Sequence, residues 1–146
     1  MKIVLKSFAR ETSATAWTVT LTERLPGFVE APLELSGTLS VRAVEGYYLL
    51  NLRGEGVLSI TCQRCMEVTA RNWPFDICLA VAANDDAAER LMEQFEVIVA
   101  ESGELNLQDL LTDELHLSAP RFHENEADCR AVLDTLSNVT VAKHLD

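Results

Sequence analysis

The stretch Ile60-Thr61-Cys62-Gln63-Arg64-Cys65-Met66-Glu67-Val68 places a Cys-x-x-Cys pair between two segments whose apolar residues occupy every second position. Leu58 and Ile60 are spaced in this way before the pair, and Val68 and Ala70 after it. Alternation with a period of two is typical of β-strands that bury one face. The stretch therefore predicts a β-hairpin whose turn carries two thiols.

Two sulfur atoms three residues apart in a tight turn permit three outcomes. They can hold one tetrahedral metal ion, they can close a small disulfide, or they can pack as reduced thiols. The stretch alone does not decide among these three outcomes for Cys62 and Cys65.

A structural zinc site needs four soft ligands, and the chain has four Cys and three His in all. Cys129 and His123 flank one loop after Pro120, so they are the candidates to complete a site with Cys62 and Cys65. Cys78 and His116 are alternative candidates for the ligands that complete the site. The chain has no second Cys-x-x-Cys and no His-x-x-x-His, so zinc is one possible cofactor rather than a requirement of the sequence.

A dithiol oxidoreductase is a less favoured alternative for the same pair. In thioredoxin-like enzymes the first cysteine begins a helix, whose dipole lowers the thiol pKa. Here the residues that follow Cys65 read as a strand, so this activation is missing.

The chain carries none of the common catalytic motifs. It has no Gly-rich phosphate loop after a strand, no Gly-x-Ser-x-Gly and no His-Glu-x-x-His. The three His residues lie in acidic surroundings far from Cys62 in sequence, so no base is placed to activate a cysteine. We expect a protein that is not an enzyme.

Charge divides the chain into two parts. The net charge is −11, and residues 1–83 hold eight acidic and eight basic residues. The remaining residues 84–146 hold fifteen acidic residues against four basic ones, which accounts for the whole excess. Nucleic-acid binding proteins usually cluster Lys and Arg to displace counterions from phosphates. With only three Lys and no basic run, strong non-specific RNA binding is disfavoured. An acidic face suits a basic protein partner better, and the alternative is a solvated face that keeps the protein soluble.

The order of predicted elements indicates an α+β fold. Alternating strands dominate residues 1–83, and a turn at Arg53-Gly54-Glu55-Gly56 is predicted to separate two of them. Asn84 and Asn106 are predicted to cap helices, with a strand around residues 95–99 between them. A last helix is predicted from Glu126 to Leu136.

We therefore predict a meander-like antiparallel sheet with two or three short helices in the C-terminal half. The predicted organisation is a single domain over residues 1–146, with a β-rich part (1–83), an acidic helical part (84–136) and a tail (137–146) that could fray. No apolar run is long enough for a membrane helix, and the N-terminus lacks a secretory signal. We expect a cytoplasmic protein.

Two stretches together resemble a known family. One is Cys62-Gln63-Arg64-Cys65. The other runs from Phe95-Glu96-Val97-Ile98 through Gly103-Glu104-Leu105-Asn106-Leu107 to Asp113-Glu114-Leu115-His116-Leu117 and Ala119-Pro120, with His123 and Cys129 beyond. In order and spacing, residues 55–130 are similar to the YceD family, the large ribosomal RNA accumulation proteins. Relatives typically carry a second proline before the histidine, whereas Ala119-Pro120-Arg121-Phe122-His123 has one.

The resemblance implies a non-enzymatic role in the synthesis, processing or stability of large-subunit (23S) rRNA during ribosome biogenesis. It also implies that Cys62 and Cys65 are a signature pair and that Asp113 and Glu114 belong to a signature helix. Combined with the charge distribution, it leads us to expect a basic ribosomal protein or large-subunit assembly factor as the partner. The residues expected to contact that partner are Asp109, Asp113, Glu114 and Arg64. A zinc-binding interaction module without a ribosomal role is the alternative.

Overall fold

A computed structural model of the chain describes residues 1–129. Within them, three complete helices and seven strands follow one another, and residues 126–129 are also helical. Their order is β1 (Lys2–Val4), α1 (Leu5–Phe8), β2 (Thr15–Leu21), β3 (Leu33–Val44), β4 (Tyr47–Thr61), β5 (Val68–Ala82), α2 (Asp85–Leu91), β6 (Glu96–Val99), β7 (Glu104–Asn106) and α3 (Leu107–Ser118).

Strands β2 to β6 form one sheet in their chain order, and β1 pairs with β7 in a separate two-stranded sheet. The pairs from β2 to β5 are antiparallel, as the predicted meander requires. β6 instead runs parallel to β5, because α2 lies in the connection between them and returns the chain to the same end of the sheet. The predicted α+β class is confirmed, with one parallel strand at the edge of the sheet.

The longest element is the hairpin of β4 and β5, which are paired from Tyr48 with Val81 to Thr61 with Val68. The predicted turn at Arg53-Gly54-Glu55-Gly56 is wrong, since β4 passes through these residues without a break. At Gly54 an added Cβ atom would lie 2.6 Å from the ring of Phe75 and 2.7 Å from the ring of Trp17. Glycine is needed here to make room for two aromatic rings, and not to turn the chain.

Helix α3 completes the main apolar core. Its residues Leu107, Leu111 and Leu115 are fully buried and belong to the same cluster as the inward-facing residues of the sheet. The helix begins where the sequence predicts, because the Asn106 side chain accepts a hydrogen bond of 3.1 Å from the backbone N–H of Asp109. Core packing thus fixes the position of α3, and with it the start of the loop that follows.

Helix α2 also begins at its predicted cap, since Asn84 Oδ1 accepts a bond of 2.8 Å from the Ala87 backbone N–H. Residues 126–129 are helical, whereas the rest of the predicted last helix, to Leu136, and the predicted tail lie outside the described residues. Among residues 1–129, no helix has both the length and the apolar character that crossing a membrane requires. The single domain stays a prediction.

Candidate metal centre

The turn between β4 and β5 directs both cysteines inward. It is closed by two backbone bonds, from Cys62 N–H to the Glu67 carbonyl (2.9 Å) and from Met66 N–H to the Cys62 carbonyl (2.7 Å). Met66 has a φ angle of 65°, a left-handed backbone conformation that completes this tight turn. As a result, Cys62 is 0% exposed and Cys65 is 6% exposed.

The loop after α3 lies directly on this turn. The Arg121 carbonyl accepts a bond of 2.8 Å from the Gln63 backbone N–H, and the Phe122 carbonyl accepts a bond from the Arg71 guanidinium. The Arg64 guanidinium lies 4.7 Å from the centre of the Phe122 ring, a cation–π contact across the same junction. These contacts bring the residues beyond Phe122 next to the two cysteines.

Four donor atoms meet at this junction. The sulfur atoms of Cys62, Cys65 and Cys129 and a ring nitrogen of His123 all lie within 4.8 Å of one another. Cys62 Sγ lies 3.3 Å from Cys129 Sγ, and His123 Nδ1 lies 3.0 Å from Cys129 Sγ and 3.5 Å from Cys65 Sγ. Ligands of a tetrahedral zinc ion lie about 3.5–3.8 Å apart, given the usual zinc–ligand distances. The Cys3His cluster therefore fits a metal ion, and its donor set is one that structural zinc sites use.

The surroundings of the cluster favour a thiolate at one position. Burial alone would raise the pKa of Cys62, but hydrogen bonds from the backbone of Cys65, Arg64 and His123 outweigh it and lower that pKa to about 5. Burial raises the pKa of Cys129, and the neighbouring Cys62 sulfur raises it further. Because metal ions bind thiolates, metal binding at this cluster would displace a proton from Cys129.

The cysteines remain free thiols in this arrangement. The distance of 3.3 Å between Cys62 and Cys129 is well above the roughly 2.05 Å of a disulfide bond. The two alternative candidates lie elsewhere: Cys78 is exposed on β5, and His116 Nε2 lies 2.8 Å from the Arg24 carbonyl oxygen. The structure thus brings together the four residues Cys62, Cys65, His123 and Cys129 that the sequence proposed as one set.

Comparison with known protein families matches the part of the chain that contains this cluster. The family described as the large ribosomal RNA subunit accumulation protein YceD matches residues 50–141, well over half of the chain and a range that includes the whole cluster. The chain belongs to the YceD family. No curated protein and no solved structure is similar enough to the chain to count as a match.

In this YceD family member, the residues expected to contact a partner differ in their surroundings. The carboxylate of Asp109 forms an ion pair with Arg24, and Glu114 Oε1 accepts a hydrogen bond of 3.1 Å from Ser118 Oγ. Asp113 is exposed, and no residue among the first 129 forms an ion pair with it. Arg64 stacks on Phe122 beside the cluster. Their contact with a partner stays a prediction.

The acidic residues of the C-terminal part lie on two sides of the molecule. Helix α2 packs against β5 and β6, whereas α3 packs against β2 and β7. β2 and β6 are the two opposite edges of the large sheet. The carboxylates of α2 and those of α3 therefore lie on separate surfaces, although both helices belong to the acidic part of the sequence, residues 84–136.

Sequence reasoning missed the residues that fasten the loop to the turn. The Arg71 guanidinium donates to the Phe122 carbonyl, the Arg121 carbonyl accepts from the Gln63 backbone N–H, and the Phe122 ring lies under the Arg64 guanidinium. Arg121 also stacks 4.8 Å above the ring of Phe28. The one available signal was the Arg121-Phe122 pair directly before His123. Backbone bonds such as that from Gln63 leave no trace in side-chain patterns.

Proposed function

We propose that this YceD family member is a non-enzymatic cytoplasmic factor in ribosome biogenesis. It supports the synthesis, processing or stability of large-subunit (23S) rRNA. The observation that carries the proposal is the family match over residues 50–141, whose description concerns accumulation of large-subunit ribosomal RNA.

The proposed partner is a basic ribosomal protein or large-subunit assembly factor. A net charge of −11 repels RNA phosphates and attracts a basic protein. The acidic residues of α2 and α3 are exposed in large part, so they are accessible to such a partner. Binding a basic protein until it joins the large-subunit precursor would support rRNA accumulation without direct binding to the RNA.

The proposed cofactor is one zinc ion with a structural role. Cys62, Cys65, His123 and Cys129 would supply all four ligands, and sites closed by four protein ligands are structural rather than catalytic. The ion would fasten the loop after α3 to the end of the β4–β5 hairpin. A redox role for the pair is less well supported, because both sulfurs are buried away from a protein substrate.

The function is tested by capture at low salt. Tagged protein is incubated with purified large-subunit proteins and, separately, with protein-free 23S rRNA. We expect one or a few basic proteins to be retained and the rRNA to be washed away. Retention of the naked rRNA with no large-subunit protein would overturn the proposal. Retention of neither would leave the zinc-binding interaction module, which the four-ligand cluster also favours, as the better description.

A further inference from the structure

The outer edge of β6 has no neighbouring strand among the described residues. β6 is the last strand of the five-stranded sheet and pairs with β5 alone. The edge of a sheet presents unpaired N–H and C=O groups that can receive another strand. The open side of β6 is therefore a possible place for a partner.

The register shows which backbone groups face outward. Just beyond β6, the N–H of Ala100 donates to the Ala82 carbonyl at 2.9 Å, so Ala100 faces β5. Because alternate residues of a strand point to the same side, Ile98 also faces β5, and Val97 and Val99 face away from it. Within residues 1–129, neither Val97 nor Val99 forms a backbone hydrogen bond on that outer side.

The edge has only part of the usual protection against strand addition. Natural edge strands are often short or carry Lys, Pro or a bulge; β6, Glu96-Val97-Ile98-Val99, is short but has no Lys, Pro or bulge. Its Val99 side chain is 39% exposed. An added strand would cover this side chain as well as satisfy the backbone.

The charges around this edge select the occupant. Six acidic residues lie on α2, on β6 and on the segments next to them, against the single basic residue Arg90, and none of the six forms an ion pair with a residue in the described range. They are Asp85, Asp86, Glu89, Glu93, Glu96 and Glu101. RNA phosphates and a second copy of this acidic chain would both be repelled here, whereas Lys and Arg would be attracted.

We propose that β6 receives an extended, Lys- and Arg-rich segment of the partner protein as a sixth strand of the sheet. The inference rests on the proposed function for the basic character of the partner, and it adds the place and the mode of binding. Backbone hydrogen bonds to Val97 and Val99 supply the affinity in this mode, and the surrounding carboxylates supply the preference for basic side chains.

A pair of synthetic peptides tests the proposal. The probe is Lys-Val-Lys-Val-Lys-Val-Lys, and its twin carries N-methyl groups on all the internal residues, lysines as well as valines, which remove the N–H groups on both edges of the strand while keeping every charge. We expect the probe to bind and the twin to bind at least tenfold more weakly. Equal binding of the two peptides would show attraction by charge alone and would overturn the proposal.

Matched variants locate the binding. Glu93→Gln with Glu96→Gln should weaken probe binding severalfold, whereas Glu11→Gln with Glu23→Gln, an equal change of charge beside β2 at the opposite edge of the sheet, should leave it unchanged. All four positions are at least partly exposed, so these variants are expected to fold. The proposal is wrong if both pairs weaken binding equally or if neither does.

Amide hydrogen exchange separates this inference from the proposed function. In the free protein, the amides of Val97 and Val99 should exchange fast and that of Ile98 slowly, and the probe should slow the first two. Slow exchange of Val97 and Val99 in the free protein would show that the edge is already covered and would overturn the proposal. If large-subunit proteins are captured while these amides stay unprotected, the proposed function stands and the strand addition is wrong.

Discussion

The sulfur atoms of Cys62 and Cys129 lie 3.3 Å apart although 67 positions separate the two residues in sequence. This contact joins the end of the β4–β5 hairpin to the loop that follows α3. The cysteines form a buried cluster of their own, separate from the main apolar core. Contacts within this cluster therefore stabilise the junction separately from the main apolar core, and several consequences can be measured.

Removal of the proposed metal ion should loosen the junction and leave the sheet folded. The main core includes Leu50, Leu52 and Leu111 but none of the cysteines, so chelation should not remove core packing. We expect amide exchange of residues 119–129 to become at least tenfold faster after chelation, while the centres of β4 and β5 stay protected. Cooperative loss of protection throughout the chain would contradict this separation.

Gly37 should not tolerate a side chain. It is paired with Gly54 across β3 and β4, and an added Cβ atom would lie 1.9 Å from the Arg53 carbonyl oxygen. We expect Gly37→Ala to lower the free energy of unfolding by about 3 kcal/mol, since overpacked backbone must shift. Denaturation by urea measures the change.

Gly27→Ala is the matched control, because no atom lies within 4 Å of an added Cβ atom at that position. It should change the free energy of unfolding by no more than about 1 kcal/mol. Equal stability of the two variants would show that the close approach of β3 and β4 is not a constraint on the fold.

The cap of α3 should contribute measurably to stability. Asn106→Ala removes the side-chain oxygen that accepts from the Asp109 backbone N–H, and loss of such a cap costs about 1 kcal/mol. Asn106→Asp keeps an acceptor at the same position and should retain the stability of the wild type. Thermal denaturation of both variants tests this, and equal loss in the two would assign the effect to something other than the cap.

Asp113 and Asp109 should differ in partner capture. Asp109 is already paired with Arg24, whereas Asp113 has no ion pair within the described residues. If α3 contributes to binding a basic partner, Asp113→Asn should weaken capture of large-subunit proteins more than Asp109→Asn does, although each removes one negative charge. Binding measured at several salt concentrations checks this, and a larger effect of Asp109→Asn would contradict it.

The sequence predicted those elements whose signals are local. Alternation around Cys62 and Cys65 predicted the hairpin turn, and the cap at Asn106 predicted the start of α3. Both signals lie within one element, where spacing of apolar residues and short side-chain bonds decide the structure.

Features that depend on contacts between distant residues were not predicted from the sequence. The continuity of β4 depends on its neighbours, since Gly54 makes room for rings from β2 and β5 and Gly56 for the Leu35 side chain of β3, yet these glycines read locally as a turn. The parallel pairing of β6 and the existence of β7 depend on partners far along the chain. At the site, residue types suggested the four ligand candidates, but the contacts that Arg71 of the hairpin and Arg121 of the loop make across the junction required the folded chain.

Elemental analysis of the native protein, purified without a histidine tag, tests the metal centre most directly. We expect about one zinc per chain in the wild type and in Cys78→Ser, whose sulfur is exposed and outside the cluster, and little or none in Cys62→Ser. Protein that is folded yet free of metal, or equal zinc in Cys62→Ser and Cys78→Ser, would contradict it.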